Sequence, residues 1–167
     1  MKPKIAKGNG AVTRAMPATS SLLAIKSILV PLDFSASSER ALDYAAALAR
    51  QFKAKLTLLH VVEPVATPDF AASFPLAMEN DQAKAAAKKH LESVAKAARI
   101  SRGRVEKMLV RFGRSFHEIT DAARTRKVDL IVISTHGYTG VKHALLGSTT
   151  ERVVRHAHCP VLVVRQR

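Results

Sequence analysis

Short apolar runs alternate with longer amphipathic helical patterns along this chain, which is typical of βαβ units built around a parallel sheet. One of these runs, Leu130–Ile133, is continuously apolar, as expected for a parallel strand that is covered on both faces. The 167 residues, of which 47% are hydrophobic, suffice for the core of one domain but not for two. The sequence therefore predicts an α/β fold: a single Rossmann-like, doubly wound domain with a parallel sheet.

Five strands are predicted from runs rich in Val, Ile or Leu and bounded by turn residues, although the third run is less apolar than the others. These strands are approximately Ser27–Leu32, Lys55–Val62, Arg104–Arg111, Val128–Ser134 and Val161–Val164.

Four helices are predicted between the strands. The first spans about Ser37 to Phe52, with small and apolar residues at three- and four-residue spacing, and the second is an alanine-rich helix with a basic outer side from about Asn80 to Ala98. The third begins at Ser115 and the fourth spans Ser148 to about His156. Each of these two begins with a Ser followed three residues later by Glu, which predicts a capping box.

Residues 1–24 carry Lys and Arg but no acid, together with Gly, Pro, Thr and Ser and no sustained periodicity. This composition predicts a basic, mobile N-terminal tail, followed by the domain at residues 25–167. The formal net charge of +14 attracts polyanions, so a nucleic-acid-binding protein is one alternative. Only two Tyr and six Phe are present, without the aromatic pattern on which bases stack.

No apolar run approaches the length of about 18 residues that a membrane span requires. The single cysteine, Cys159, cannot form an internal disulfide, which fits a reducing compartment, and we expect a cytoplasmic location. His156, His158 and Cys159 are metal-ligand types, but no fourth ligand follows at a familiar spacing, so no metal site is predicted.

Glycines flank the connection between the fourth strand and the fourth helix. Gly137 and Gly147 permit a close approach of backbone to ligand, and Ser148 and Thr149 add hydroxyl donors at a helix N-terminus. Such a unit predicts an anion site of the kind that holds nucleotide phosphates. The alternative is structural: the glycines only turn the chain and Ser148 only caps the helix.

Asp33 follows the first strand, where its carboxylate can accept a ribose hydroxyl or an amine. The alternative is that Asp33, Ser35 and Ser37 satisfy the N–H groups that open the first helix. Both Asp33 and the glycine connection follow the carboxyl ends of strands, where open α/β sheets bind ligands.

Three segments together resemble the universal stress protein family: the segment from Ile28 to Ser35, the segment from Leu58 to Val62, and the long tract from Ser134 to Val154 that continues to Val164. The resemblance implies a strand order of 3-2-1-4-5, which makes the first and fourth strands neighbours. It also implies a homodimer paired through the last strand, Val161–Val164. An exposed apolar edge strand favours such pairing.

Members of this family that bind ATP share a pattern of three glycines. Two of them correspond to Gly137 and Gly147, and Ser134 stands at the first, where its Cβ narrows the approach of a ligand. The resemblance implies a site for ATP, or for ADP or AMP, with Mg or Mn accompanying the nucleotide. Its residues would be Pro31, Leu32, Asp33, Val61, Ile133, Ser134, Gly137, Gly147, Ser148 and Thr149.

The predicted function is therefore an ATP-binding role in stress response or signalling. Hydrolysis would be slow at most, because no dedicated base or arginine finger is evident in the sequence. The alternative from another class is a dimeric adaptor that binds no nucleotide, in which Ser134 closes the site. Replacement of Gly147 by a bulky residue separates them, since an adaptor would keep partner binding.

Overall fold

The computed structural model describes residues 24–63, 81–101, 103–135 and 147–165. Strands and helices alternate through these residues as the sequence predicts. The strands are β1 (Ser27–Pro31), β2 (Lys55–Val62), β3 (Val105–Phe112), β4 (Leu130–Ser134) and β5 (Val161–Val164). The helices are α1 (Ala36–Phe52), α2 (Asp81–Ala97), α3 (Ser115–Thr125) and α4 (Ser148–His156).

All the strand pairs are parallel, and the order of the sheet is β3-β2-β1-β4-β5. The predicted fold class and the predicted strand order are therefore confirmed. Ile28 of β1 lies between Leu56 of β2 and Leu130 of β4, which makes β1 the central strand. β3 and β5 form the two edges.

The predicted start of the fourth strand at Val128 is wrong by two residues. Val128 still lies in the turn that follows α3, because its N–H donates back to the carbonyl of Ala123 in the last turn of that helix. Asp129 then accepts the N–H groups of Lys26 and Ser27 with one carboxylate oxygen, at 2.8 and 2.9 Å. Regular pairing with β1 begins only at the next residue, Leu130.

The core lies on both faces of the sheet. On one face, α1 and α2 cover a cluster centred on Ile28, Val30 and Leu58, to which the alanines of α1 contribute their small side chains. On the other face, α3 and α4 cover a cluster that includes Leu29 and Ile131. The five residues of β4 are all buried, as its continuous apolar run predicts.

The length and the hydropathy of the described helices can be compared with those of a membrane span. Within the described ranges, none of the helices has both the length and the hydropathy that crossing a bilayer requires. The predicted basic tail, apart from Ala24, and the proline-containing connection between β2 and α2 lie outside the described residues.

Candidate functional site

A cavity of about 150 Å³ opens at the carboxyl ends of β1, β2 and β4, where the first and fourth strands are neighbours. Of the ten residues predicted for the site, nine line this cavity, and Gly137 lies outside the described residues. The nine are Pro31, Leu32, Asp33, Val61, Ile133, Ser134, Gly147, Ser148 and Thr149. Segments that are distant in sequence therefore meet at one place.

Asp33 lies at the cavity and also takes part in the structural role considered for it. It lines the cavity, and its Oδ1 accepts hydrogen bonds from the backbone N–H and the hydroxyl of Ser35, at 3.1 and 2.6 Å. Ser35 is the N-cap of α1 and accepts the N–H of Ser38 on its side chain. The same carboxylate thus orients the cap of α1 and faces the cavity.

The beginning of α4 differs from the predicted capping box. Gly147 is the N-cap, no side chain caps the helix, and the N–H of Glu151 donates to the carbonyl of Gly147 at 2.9 Å. Gly147 has an extended conformation, with a ψ of 148°, and therefore lies outside the helix. Ser148 is thus the first helical residue. The Ser148 hydroxyl therefore does not cap this helix.

The backbone N–H of Gly147 is also committed within the fold, since it donates to the carbonyl of Thr135 at 2.8 Å. This N–H group is therefore already bonded within the fold and is not directed at the cavity as a donor for an anion. The first N–H groups of an α-helix have no partner within the helix. The groups that can serve an anion here are accordingly those that begin at Ser148, one residue later.

Thr150 joins the first turn of α4 to the end of β4. Its hydroxyl donates to the carbonyl of Ser134 at 2.8 Å, and only 4% of Thr150 is exposed. The hydrogen bond therefore lies in the interior and holds the helix start against the strand end. Sequence reasoning missed this residue, although its place in the run Ser148-Thr149-Thr150 was a usable signal.

Replacement of Thr150 by Val is expected to lower the free energy of unfolding by about 1 to 3 kcal/mol, because the buried carbonyl of Ser134 loses its donor while shape is kept. Chemical denaturation measures this change. Thr125→Val is the matched control: its hydroxyl also bonds a carbonyl, but the residue is exposed, so the expected loss is below about 0.5 kcal/mol. Equal losses in the two variants would contradict this account of Thr150.

The beginning of α3 also differs from the predicted capping box. Arg114 is the N-cap without a side-chain hydrogen bond, and Ser115 is the first helical residue. The cap comes from a distant residue: Oε1 of Glu63, which follows β2, accepts the N–H of Ser115 at 2.7 Å. Glu118, expected to complete the box, instead contacts Arg111 at 3.3 Å.

Glu63 is therefore tuned by its position at a helix N-terminus. Hydrogen bonds from the side chain and the backbone N–H of Ser115 lower the pKa of Glu63 from its usual value, opposed by partial burial and aided by the charge of Arg114. A carboxyl group with a lowered pKa in the folded state stabilises the fold when it is ionised. That stabilisation is present above the unfolded-state pKa and is lost as the pH falls through the folded-state pKa.

Glu63→Gln is expected to reduce stability slightly at pH 7 and to flatten the loss of stability on acidification below about pH 5. The effect is small because Glu63 is exposed. Denaturation curves of wild type and variant between pH 7 and pH 3 measure it. Glu92→Gln, at an exposed position of α2, should follow the wild-type curve, and an identical curve for Glu63→Gln would contradict the assigned role.

The side chains that line the cavity are mostly of two chemical kinds, apolar and hydroxyl-bearing. Apolar side chains from several elements form one part of the lining: Pro31, Leu32, Leu59, Val61, Ile119 and Ile133. Hydroxyl groups form another part, and they belong to Ser38, Ser115, Ser134, Ser148, Thr149 and Thr150. Ser115 and Ile119 were not predicted, because their position depends on how α3 packs over β2 and no local pattern in the sequence reveals it.

His60 and Cys159 both make contacts within the fold. His60 lies in β2, and its Nδ1 donates to the carbonyl of Leu32 at 2.8 Å. Cys159 is half-buried, and burial, together with the negative charge of Asp129, raises the pKa of its thiol. The thiol therefore stays protonated at neutral pH, as expected for an unreactive cysteine. In the described part of the chain, no group of three His, Cys, Asp or Glu side chains is placed to hold a metal ion.

Comparison with known proteins assigns this arrangement to a family. Residues 24–165 match the universal stress protein family. The chain is similar to the universal stress protein MJ0531 of Methanocaldococcus jannaschii, with 33% identity over 141 residues that cover 84% of this chain and 82% of that protein.

Solved structures agree with the sequence relatives. The structure is similar to that of the universal stress protein UspA from Lactobacillus plantarum, with a TM-score of 0.71, 32% identity, and coverage of 84% of this chain and 98% of the other. It is also similar to a universal stress protein in complex with cAMP, with a TM-score of 0.59, 26% identity, and coverage of 85% and 98% of the two chains.

Proposed function

Because the chain belongs to the universal stress protein family, we propose that its cavity binds an adenine nucleotide, ATP or alternatively ADP or AMP. The observation that carries this proposal is the convergence of Asp33, an apolar wall and the N-terminus of α4 on one cavity. A related protein has been solved in complex with cAMP, which is also an adenine nucleotide.

The chemistry of the lining suits the parts of a nucleotide. Apolar side chains such as Val61 and Ile133 offer van der Waals contacts for the faces of a base. The carboxylate of Asp33 can accept a ribose hydroxyl or an amine. At α4, the partial positive charge of a helix N-terminus and the hydroxyls of Ser148 and Thr149 favour phosphate. The two kinds of wall therefore match the two ends of one molecule.

The proposal assigns three groups of residues. Pro31, Leu32, Asp33 and the backbone of Val61 frame the adenosine. The ribose and the α-phosphate lie along Ile133, Ser134 and Gly137, and the outer phosphates lie against Gly147, Ser148 and Thr149. Of the last three, Gly147 contributes through its place before the helix and not through its N–H, which is bonded to Thr135.

Mg or Mn accompanies the nucleotide in this proposal, held by the phosphate oxygens that these ions prefer. Hydrolysis is slow at most, because phosphoryl transfer needs a group that positions water and one that stabilises the transition-state charge. Among the described residues that line the cavity, none is an Arg or a Lys that could stabilise that charge. The nucleotide then serves a cytoplasmic stress-response or signalling role through its bound state rather than through rapid turnover.

A homodimer through β5 is also part of the proposal. β5 is an edge strand that pairs with β4, and its Leu162 is 37% exposed. An apolar edge of this kind favours pairing with a second copy. Sedimentation at micromolar concentration should show a dimer that Leu162→Lys weakens, whereas a wild-type monomer would remove this part of the proposal.

Nucleotide binding is tested by calorimetric titration of the full chain with ATP, ADP, AMP and GTP in the presence and absence of Mg. Adenine nucleotides are expected to bind with a Kd in the micromolar to millimolar range, about −8 to −4 kcal/mol. Mass spectrometry of the natively purified protein provides a second readout through any co-purified nucleotide. Absence of heat and of chemical-shift change with all the nucleotides at millimolar concentration would contradict the proposal.

A further inference from the structure

Three aromatic rings from three separate elements form a stack behind the cavity. Phe34, which follows β1, lies between His60 of β2 and His90 of α2. The centroid of the Phe34 ring is 4.3 Å from that of His60 and 3.9 Å from that of His90, with interplanar angles of 29° and 10°. We call these residues the ring stack; none of the three lines the cavity.

The backbone at the centre of the ring stack is in an unfavourable conformation. Phe34 has a φ of 64°, in the left-handed region that a residue with a bulky side chain rarely adopts. A residue is held in such a conformation only when the surrounding structure determines it, and such residues are often found at functional sites. Around Phe34, the two histidine rings stack on the faces of its ring, which also packs against the core cluster under α1 and α2.

The residues on either side of Phe34 are held as well. The carbonyl of Leu32 accepts a hydrogen bond from Nδ1 of His60 at 2.8 Å, so His60 is fixed by the same turn that its ring stacks on. On the other side of Phe34, Ser35 donates its N–H and its hydroxyl to the carboxylate of Asp33. The carboxylate of Asp33 is therefore carried on the same turn as the Phe34 ring.

We infer that the ring stack positions Asp33 for ligand binding, with Phe34, His60 and His90 acting as positioning residues that do not touch the ligand. This inference rests on the proposed nucleotide site. The left-handed turn at Phe34 directs the preceding carboxylate into the cavity and the following residue onto the start of α1. The stack with His90 keeps that turn from relaxing to a conformation that a Phe adopts more readily.

The contribution of one ring is tested with His90→Ala and His90→Phe. His90 is exposed on α2, so either change leaves the core intact, and Phe retains a ring that can stack. In the nucleotide-free protein, His90→Ala is expected to speed amide hydrogen exchange at Ser35 by about 2- to 10-fold. This factor corresponds to the free energy of losing one aromatic pair. His90→Phe should restore the wild-type rate. Lys89→Ala, the neighbouring exposed position on the same helix, is the control that should change nothing.

Affinity for ATP gives the second readout. His90→Ala should raise the Kd by about 2- to 10-fold in the wild-type background and have no further effect once Asp33 has been replaced by Ala. An equal increase in both backgrounds would mean that the stack acts on the fold in general, and the inference would be wrong. Unchanged exchange at Ser35 and an unchanged Kd in His90→Ala would overturn it as well.

Phe34→Gly provides an independent variant, because glycine adopts a φ of 64° without strain, and thermal unfolding checks that the variant folds without the contact of the Phe34 ring with the core. Exchange at Ser35 is expected to rise as in His90→Ala, since the ring that determines the turn is gone, and a wild-type rate would contradict the inference. If the wild-type protein binds no adenine nucleotide, the proposed function fails, and the exchange rates alone decide whether the ring stack fixes the Asp33 turn.

Discussion

Replacement of Asp33 by Ala is expected to raise the Kd for ATP by about 10- to 100-fold, the usual effect of losing a hydrogen bond to a charged group. In the proposed complex the carboxylate accepts a hydroxyl or amine of the adenosine, and no other carboxylate lines the described part of the cavity. The replacement leaves that donor without a partner inside the site. Calorimetric titration of wild type and variant with ATP measures the change.

A part of the effect will come from the fold, because Asp33 also accepts two hydrogen bonds from Ser35. Thermal unfolding of the nucleotide-free variant separates this contribution from the loss of affinity. Asp43→Ala removes a carboxylate from an exposed position on α1 and serves as the matched control, with a Kd equal to that of the wild type. Wild-type affinity in Asp33→Ala would show that the carboxylate takes no part in binding.

A carboxylate placed at the beginning of α4 is expected to have opposite effects on binding and on stability. Ser148→Glu puts negative charge where the proposal places the outer phosphates, and repulsion between such charges a few ångströms apart should raise the Kd for ATP by about 100-fold. The same charge at a helix N-terminus should stabilise the nucleotide-free protein by about 0.3 to 1 kcal/mol. A variant that is more stable yet binds less is difficult to explain by damage to the fold.

The control for this substitution is Ser148→Gln, which has nearly the same size but no charge. Its Kd should rise much less than that of Ser148→Glu, and both variants should bind adenosine, which carries no phosphate, within about 3-fold of the wild type. Competition by adenosine against a fluorescent ATP analogue measures this. Equal loss of ATP binding in the two variants would place the phosphates elsewhere.

The elements of the fold were predictable because their patterns are local and strong. The buried strand β4 is a continuous apolar run, and α1 repeats small residues such as Ala41, Ala45 and Ala49, which are fully buried. The order of the strands could not be predicted from local patterns. It depends on long-range packing, and it followed from the resemblance to a family and not from any periodicity.

The helix starts show where local patterns mislead. Both Ser115 and Ser148 are followed three residues later by Glu, yet each is the first helical residue rather than the cap. In the first case the carboxylate of Glu63, which is distant in sequence, accepts the N–H that a local cap would have satisfied. A hydrogen bond between distant residues leaves no trace in the spacing around the helix.

The candidate site was predictable for a part of its lining and not for the side chains that support it. Asp33 and Ser148 could be named because one follows a strand and the other begins a helix. Ser134 was named only through the resemblance to the family. The stack of Phe34 between His60 and His90 could not be predicted, since it joins three elements and depends on a left-handed φ that no rule predicts for Phe. Side chains that support a site from behind require the tertiary structure.

The central claim, that this cavity is an adenine-nucleotide site, is tested most directly by a heteronuclear NMR titration of the full chain with ATP and Mg. The expected result is saturable change in the amide signals of Asp33, Val61, Ser134, Ser148 and Thr149, while signals at the opposite end of the sheet, such as that of Asp129, stay in place. No change in those five signals at millimolar ATP, or change confined to residues outside the cavity, would contradict the account.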